Sequence, residues 1–310
     1  MTLRGPLLLS SGDLIADRRY EHARALAARG DTAAACELLV QALERAPTFA
    51  AAAFTLGELR EQAGDREGAV AAFRAARASD PADRHGAALH LARLEGRSSA
   101  PMPAGYLRAL FDQYAPGFEA ALTAGLSYRA PQLLRGAVET LRDGRRFKKA
   151  VDLGCGTGLC GEAFRDLCDS LAGIDISPAM VELARRKSLY ERLEVGDMAV
   201  LLAEQAGTAD LLIAADAFCY VEDLGAICRA AATALTPGGL LAFSVETHAG
   251  DGVRLSEKLR YQHASGCVRA ALAGAELSPL LMEPAATRTE NAAPVPGLIV
   301  VAARVSSGAP

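Results

Sequence analysis

The chain lacks the long apolar runs and the basic excess that would place it in a membrane or on nucleic acid. No stretch of its 310 residues approaches the roughly 18 uninterrupted apolar residues of a membrane span, and the apolar run near its start is too brief for a secretory signal. The formal net charge is -4, which argues against a dominant surface for nucleic acid or anionic lipid. We therefore expect a cytoplasmic protein without a nucleic-acid or membrane partner.

Cysteine and histidine are present, but not in patterns that form disulfides or bind metal. The 7 cysteines include no C-x-x-C pair, and the 5 histidines show no ligand spacing. We expect neither a disulfide framework nor a metal site. Because 51% of the residues are hydrophobic, a chain of this length can form more than one core, and two domains are expected.

The N-terminal third repeats its turn residues at a fixed interval. Gly-Asp at 30–31 recurs at 64–65, and Pro47 recurs as Pro81, so both offsets are 34 residues. This is the period of tetratricopeptide repeats, in which each unit is a pair of helices. The helical periodicity between these turns is alanine-rich, as close packing of paired helices requires.

We predict an all-α, tetratricopeptide-like domain at residues 1–96, with repeats at 14–47 and 48–81 and a capping helix at 82–95. A linker rich in Pro, Ser and Gly is expected at 97–105. Two repeats bury little core by themselves, so the array is expected to lean on another domain or chain. Binding of a protein partner, homodimerisation and simple stabilisation all remain open for it.

The segment K-A-V-D-L-G-C-G-T-G-L-C-G at 149–161 organises the rest of the chain. It reads as the end of a buried strand, a glycine turn and the start of an apolar-periodic helix. Glycines permit positive φ and let a ligand lie against the backbone. The spacing is G-x-G-x-G, because Leu159 stands where a dinucleotide fingerprint needs a small residue, and no lysine follows as in a P-loop.

Acidic residues accompany this loop in a particular order. Asp152 precedes the first glycine, and Asp175 ends the next apolar run, where its carboxylate can accept hydrogen bonds from two ribose hydroxyls. V-G-D-M follows at 195–198 and L-T-P-G-G-L-L-A-F-S-V-E at 235–246. With V-D-L-G-C-G-T-G and G-I-D-I-S, this ordered set resembles the motifs of class I S-adenosylmethionine-dependent methyltransferases.

The resemblance implies an α/β domain at 106–310 with a Rossmann-like, seven-stranded methyltransferase sheet in the order 3-2-1-4-5-7-6 and strand seven antiparallel. Alternation of short apolar runs with helices is typical of such a sheet. Strands are expected near 148–153, 171–175, 192–195, 210–215, 238–246, 277–283 and 297–304. Helices at 106–142 are expected to form a lid, since F-D-x-Y-A-x-x-F-E and Y-R-x-P elements of predicted tetratricopeptide-containing methyltransferases recur at 111–119 and 128–131.

The resemblance also implies a binding site for the cofactor S-adenosylmethionine. The expected cofactor-binding residues are Tyr114, Arg129, Asp152, Gly154, Cys155, Gly156, Gly158, Asp175, Ile176, Asp197, Met198 and Asp216. Asp197 would accept from the exocyclic adenine N–H, although a turn role for it is open. Tyr114 could attract the sulfonium by a cation–π contact, and Arg129 suits the methionine carboxylate, while packing of the lid helices is the alternative for the aromatic residues.

The methyl acceptor is expected beside the ends of strands four and five. The expected pocket residues are Tyr128, Phe218, Tyr220 and His248, with 288–290 as a further candidate segment. His263 is the candidate general base, because an imidazole titrates near pH 6.5, and capping of the following helix is the equal alternative.

The chain lacks the Asn/Asp-Pro-Pro-Tyr loop of methyltransferases that act on nucleobase amines. A nucleobase acceptor is therefore disfavoured. Phe218, Tyr220, His248 and His263 suggest an enclosed pocket, which favours a small-molecule acceptor methylated on oxygen or carbon. One alternative is a protein methyltransferase whose repeats recruit the target, and another is a cofactor-binding scaffold without transfer activity.

Overall fold

The computed structural model describes residues 10–97 and 100–305, apart from the side chains of residues 123 and 124. The chain falls into two compact units that divide between Gln113 and Tyr114. The linker expected at 97–105 precedes this division, and its role as the domain boundary stays a prediction.

The first unit consists of helices joined by short turns. Its helices are α1 (Leu14–Ala28), α2 (Thr32–Arg45), α3 (Ala50–Gln62), α4 (Arg66–Ser79) and α5 (Ala87–Leu94), and α6 (Ala104–Tyr114) follows. Asp31 and Asp65, which are 34 residues apart in the sequence, begin α2 and α4 in the same way: each carboxylate accepts from the backbone N–H three residues later. Gly57 of α3 lies against Phe73 of α4, where an added Cβ would be 2.7 Å from the ring. These are the contacts of a repeated helix pair.

The second unit alternates helices and strands. Its helices are α7 (Phe118–Ala120), continued by a wide turn at Ala121–Gly125, α8 (Ala130–Leu141), α9 (Leu159–Phe164), α10 (Pro178–Arg186), α11 (Met198–Ala203), α12 (Leu224–Ala234) and α13 (Ser265–Ala273). Its strands are β1 (Phe147–Leu153), β2 (Cys168–Asp175), β3 (Arg192–Val195), β4 (Ala209–Ala214), β5 (Leu235–Glu246), β6 (Val253–Leu255), β7 (Tyr261–His263), β8 (Leu277–Ala285), β9 (Thr289–Glu290), β10 (Ala293–Pro294) and β11 (Gly297–Arg304).

The main sheet has the order β3-β2-β1-β4-β5-β11-β8. Strands β1 to β5 pair in parallel, whereas β11 is antiparallel to both β5 and β8. With β8 and β11 as the sixth and seventh long strands, the expected order 3-2-1-4-5-7-6 is confirmed. The β6–β7 hairpin, which joins β5 at Glu246 and Gln262, and the β9–β10 hairpin were not expected.

Apolar residues that alternate along each strand build a core on both faces of the sheet. In β4, Leu212 faces one core with residues of α12 and α13, while Leu211 faces the other with residues of α8 and α9. Both faces of the sheet are therefore covered. Parallel sheets of this kind bind ligands at the carboxyl ends of their strands, where the strand order reverses, here between β1 and β4.

Candidate functional site

The glycine loop between β1 and α9 has a conformation that only glycine adopts without strain. Gly154, Gly156 and Gly158 have φ of +72°, +52° and +95°. A Cβ on Gly154 would lie 2.7 Å from that of Ala217, whereas the nearest atom to a Cβ on Gly156 would be Cε1 of Phe118, at 3.8 Å. The loop backbone is thus packed against Ala217 at Gly154, whereas at Gly156 there is room for another group beside it.

Asp175, at the carboxyl end of β2, fixes this loop. Its Oδ2 accepts from the N–H of Gly156 and its Oδ1 from the N–H of Ser177, both at 2.8 Å. The N–H groups of Gly154 and Cys155 donate to the Ile174 carbonyl at 2.8 and 2.9 Å. One carboxylate, 8% exposed, therefore holds both the loop and the start of α10.

Asp152 lies beneath the loop, in contact with Tyr190. The Tyr190 hydroxyl donates to Oδ2 of Asp152 at 2.7 Å and accepts from the Gly161 N–H at 3.0 Å. Among the described residues, Oδ1 of Asp152 has no hydrogen-bond partner. Burial raises the pKa of Asp152 to about 7, even though the Tyr190 bond acts to lower it.

Three further predicted residues follow β2 and β3. Asp197 is exposed and caps α11, because its Oδ1 accepts from the N–H groups of Ala199 and Val200 at 2.8 and 3.3 Å. Ile176 and Met198 are half-buried. The turn role considered for Asp197 is thus present as a helix cap, and its contact with adenine stays a prediction.

The lid segment, which we define as residues 118–129, lies over the glycine loop. Phe118 faces Gly156 as described, and Glu119 pairs with Lys187 after α10 at 2.5 Å. Tyr114, just before the segment, is 39% exposed. Arg129 is exposed, and its Nε donates to the Ala286 carbonyl at 3.2 Å. The structure uses Arg129 to hold neighbouring backbone, and its predicted role at the methionine carboxylate stays a prediction.

Tyr128, at the end of the lid segment, is half-buried beside acidic groups. Burial raises the pKa of Tyr128 well above its ordinary value, and the charges of Asp216 and Asp152 add to the effect. The phenol therefore lies within electrostatic reach of both strand ends, β1 and β4.

Asp216 follows β4 and lies at the centre of a buried polar cluster. It has φ of +51°, and its Oδ1 accepts from the Ser244 hydroxyl at 2.7 Å. Its Oδ2 accepts from Thr287 Oγ1 and Arg288 Nη1, both at 3.0 Å. Such a left-handed conformation in a non-glycine residue is held only where its surroundings fix it.

Comparisons with known proteins match both units of the chain. The family described as a methyltransferase domain matches residues 151–243, and the tetratricopeptide repeat family matches residues 26–94. The chain carries a methyltransferase domain and tetratricopeptide repeats.

Curated relatives of the methyltransferase domain include two named ubiquinone biosynthesis O-methyltransferase. That of Xanthomonas axonopodis pv. citri is 37% identical over 100 residues, which cover 31% of this chain and 42% of the relative. That of Idiomarina loihiensis is 31% identical over 113 residues, which cover 35% and 46%. The chain thus spans less than half the length of these relatives.

Solved structures share the fold of the domain. The (4+2)-cyclase SpnF superposes with a TM-score of 0.54 at 18% identity, over 67% of this chain and 98% of that one. The 1,6-didemethyltoxoflavin-N1-methyltransferase of Burkholderia thailandensis, solved with S-adenosylhomocysteine bound, has a TM-score of 0.50 at 17% identity, over 67% and 93%. At these identities the likeness concerns the fold alone.

Two predicted acceptor-side residues of the methyltransferase domain are not at a pocket surface. His263 is fully buried, its Nε2 donates to the Val221 carbonyl at 3.0 Å, and burial lowers its pKa to about 4. In this structure the ring has no exposed surface at which to meet an acceptor, and its role as general base stays a prediction. Capping of the following helix is not observed, because Ala264 begins α13 without a side-chain cap. Phe218 is also fully buried and packs on Phe243, with ring centroids 5.0 Å apart, as part of the core.

Like Tyr128, the predicted pocket residues Tyr220 and His248 are partly exposed. Tyr220 accepts from Arg260 Nε at 3.1 Å. The ring of His248 bonds its own loop, because Nδ1 accepts from the Gly250 N–H at 3.1 Å and Nε2 donates to the Gly252 carbonyl at 3.3 Å.

The sequence prediction missed Tyr190, although glycines outside the motif gave a signal. Gly161 and Gly173 belong to no turn, yet a Cβ on either would lie within 3.1 Å of the Tyr190 ring. Glycines that no turn requires, close to the glycine loop, therefore indicate that a bulky side chain packs against them.

None of the helices in the described ranges is long and apolar enough to cross a membrane. Within the same ranges, no group of three or more His, Cys, Asp or Glu side chains could hold a metal ion.

Proposed function

We propose that this chain is an S-adenosylmethionine-dependent methyltransferase that acts on a small-molecule acceptor. The observation that carries the proposal is the open glycine loop held by Asp175 at the point where the strand order reverses. The residues fit the cofactor: a Cβ would fill the space over Gly156, and Asp175 places an acceptor beside it for ribose hydroxyls.

When bound, the cofactor supplies a methyl group on a sulfonium for in-line displacement. The protein's part is then to orient two reactants and exclude water. Phe118 and the Glu119–Lys187 pair hold the lid segment over the loop, which shields this space. Asp216 and Tyr128 stand at the ends of β4 and the lid, where an acceptor would approach.

Binding of S-adenosylmethionine and S-adenosylhomocysteine by calorimetry tests the cofactor site. We expect both to bind, and Asp175→Ala to weaken them by about tenfold or more, because each hydrogen bond to a charged group contributes about 1.5–3 kcal/mol. Asp169→Asn is the matched control, since Asp169 lies at the opposite end of β2 in a surface ion pair with Arg146. If the wild-type chain binds neither ligand, the proposed function is wrong.

The acceptor class is tested by transfer of a labelled methyl group. The full chain is incubated with the labelled cofactor and with separated small-molecule and protein fractions of a lysate. We expect the label in small molecules. Label in proteins would instead support a protein methyltransferase with target-recruiting repeats, and no label with intact binding would support a scaffold.

We also propose that the repeat unit contacts a protein, as its match to the repeat family supports. The described helices leave a cavity of about 340 Å³ lined by Arg74, Arg77, Ala78, Leu91, Glu95 and Arg97. Glu95 pairs with Arg74 and Arg97 at 3.0 and 3.1 Å, so the lining offers charges of both signs beside apolar side chains to a partner segment. Sedimentation of the full chain at several concentrations tests the alternative, since concentration-dependent dimers would indicate a second copy.

A further inference from the structure

The residues after β8 form a short connection that the proposed function does not use. We call residues 286–290 the strap. One side of the strap is bonded to the end of the lid segment: the Arg129 N–H donates to the Thr287 carbonyl at 2.9 Å, and the Thr289 N–H donates to the Leu126 carbonyl at 2.7 Å. These two backbone bonds, with the side-chain bond from Arg129 Nε to the Ala286 carbonyl, hold the two segments together.

The other side of the strap is bonded to the ends of β4 and β5. Arg288, only 3% exposed, donates from each of its three nitrogens to a different carboxylate. Nη1 reaches Asp216 at 3.0 Å, Nε reaches Glu290 at 2.8 Å, and Nη2 pairs with Glu246. A planar guanidinium carries five N–H donors in a fixed fork, so it can serve three acids at once.

The charges around Arg288 balance only when it is present. Arg260 Nη1 lies 3.4 Å from Glu246 and 3.0 Å from Glu290, and Lys258 pairs with Glu290. Three cations thus face the three carboxylates. Loss of Arg288 would leave Asp216 without its charged partner and Glu246 with a single distant one, and buried carboxylates without partners are strongly disfavoured.

We infer that Arg288 is a positioning residue, which seats the lid segment on the site by fixing the strap to Asp216 and Glu246. The inference rests on the proposed function, since the lid closes over the space assigned to the cofactor. The ion pairs of Arg288 go to Asp216, Glu246 and Glu290, and the bonds to the lid segment come from its neighbours Thr287 and Thr289, so Arg288 acts on the lid segment through them. Its loss should therefore release the lid segment and speed the escape of a ligand held beneath it.

The experiment compares Arg288→Met and Arg288→Lys with Val301→Ala in the full chain. Val301 is fully buried in β11, so its truncation lowers stability through a cavity without touching the strap. Hydrogen exchange of the unliganded proteins is measured at the Arg129 and Thr289 amides, and the dissociation rate of S-adenosylhomocysteine is measured by competition. We expect both to rise by about tenfold in Arg288→Met and less in Arg288→Lys, which keeps a charge but fewer donors.

Equal changes in Arg288→Met and Val301→Ala would overturn the inference, because they would reflect lost stability alone. Unchanged exchange at Arg129 and Thr289 would overturn it too. If Arg288→Met does not fold, Arg288→Lys provides the same comparison. A wild-type chain that binds no S-adenosylhomocysteine would refute the proposed function, whereas the exchange measurement needs no ligand and still decides the role of Arg288.

Discussion

Asp152 is a carboxylate whose surroundings favour its protonated form. Burial raises its pKa from an ordinary 3.8 to about 7, and the nearby charge of Asp175 acts in the same direction. The hydrogen bond from Tyr190 opposes this shift without cancelling it. Near neutral pH the group that supports the glycine loop is therefore only partly ionised.

Replacement of Asp152 by Asn should change how stability depends on pH. Because the folded pKa lies above the unfolded one, the folded state holds an extra proton between about pH 4 and about pH 7, so the wild-type free energy of unfolding falls as pH rises through this range, by up to about 1.4 kcal/mol per unit. Asp152→Asn loses this contribution and should be the more stable protein above about pH 7.

Urea denaturation of the full chain at several pH values measures the Asp152 effect. The difference between wild type and Asp152→Asn cancels the titration of other groups. Asp169→Asn, at the exposed end of β2, should give a curve parallel to wild type. If Asp152→Asn also runs parallel to wild type, the pKa of Asp152 does not change on folding and its burial does not control its charge.

Residue type and spacing predict which residues form a site better than they predict whether those side chains are exposed. The loop glycines and Asp175 were found from sequence because their chemistry depends on local backbone and strand ends. For His263, nothing in R-Y-Q-H-A-S reveals that the ring is enclosed under the turn at 218–221. The sequence indicates Arg288 only as part of the segment 288–290. Its partners Asp216 and Glu246 are 42 or more residues away, and its third partner, Glu290, lies in a hairpin too short to recognise from sequence.

Two helical glycines of the second unit should respond in opposite ways to alanine. Gly136 in α8 has no atom within 4 Å of an added Cβ, so Gly136→Ala should stabilise the protein by about 0.5–1 kcal/mol through helix propensity. In α9, a Cβ on Gly161 would lie 2.6 Å from Cζ and Oη of Tyr190, so Gly161→Ala should cost about 1–3 kcal/mol through overpacking. Chemical denaturation of both variants checks the pair. A stabilising Gly161→Ala would show that Tyr190 does not fill the space beside α9.

Among the strands, the number of residues decided which of them the sequence could predict. All seven long strands begin and end within a few residues of their expected positions. In β1, β2, β4, β5 and β11, runs of buried apolar residues fix one or two faces of the strand. The strands of β6, β7, β9 and β10 have two or three residues, too few for an alternating pattern. In the lid, Gly117 and Gly125 flank a helix that runs for only one turn before it widens, whereas a longer one was expected.

For the whole chain, each unit has a core of its own, which bears on how far a ligand's effect should extend. The repeat helices bury residues such as Leu39 and Phe73, while the sheet buries others such as Leu212 and Phe243. A ligand that binds only the folded state stabilises it by about 2.7 kcal/mol at a hundredfold excess over its dissociation constant. Ligand binding therefore slows exchange at those amides that exchange only when a local opening of the structure destroys the site.

Saturation with S-adenosylhomocysteine should therefore protect amides of the second unit and leave those of α1 to α5 unchanged. The strongest protection is expected at the Gly156 and Ser177 amides, because both donate to the carboxylate assigned to the ribose. Hydrogen exchange of the full chain with and without ligand measures it, and Asp175→Ala should abolish the difference. Protection that also reached the repeat helices would contradict a local effect and would mean that cofactor binding is communicated to the unit we propose to contact a protein.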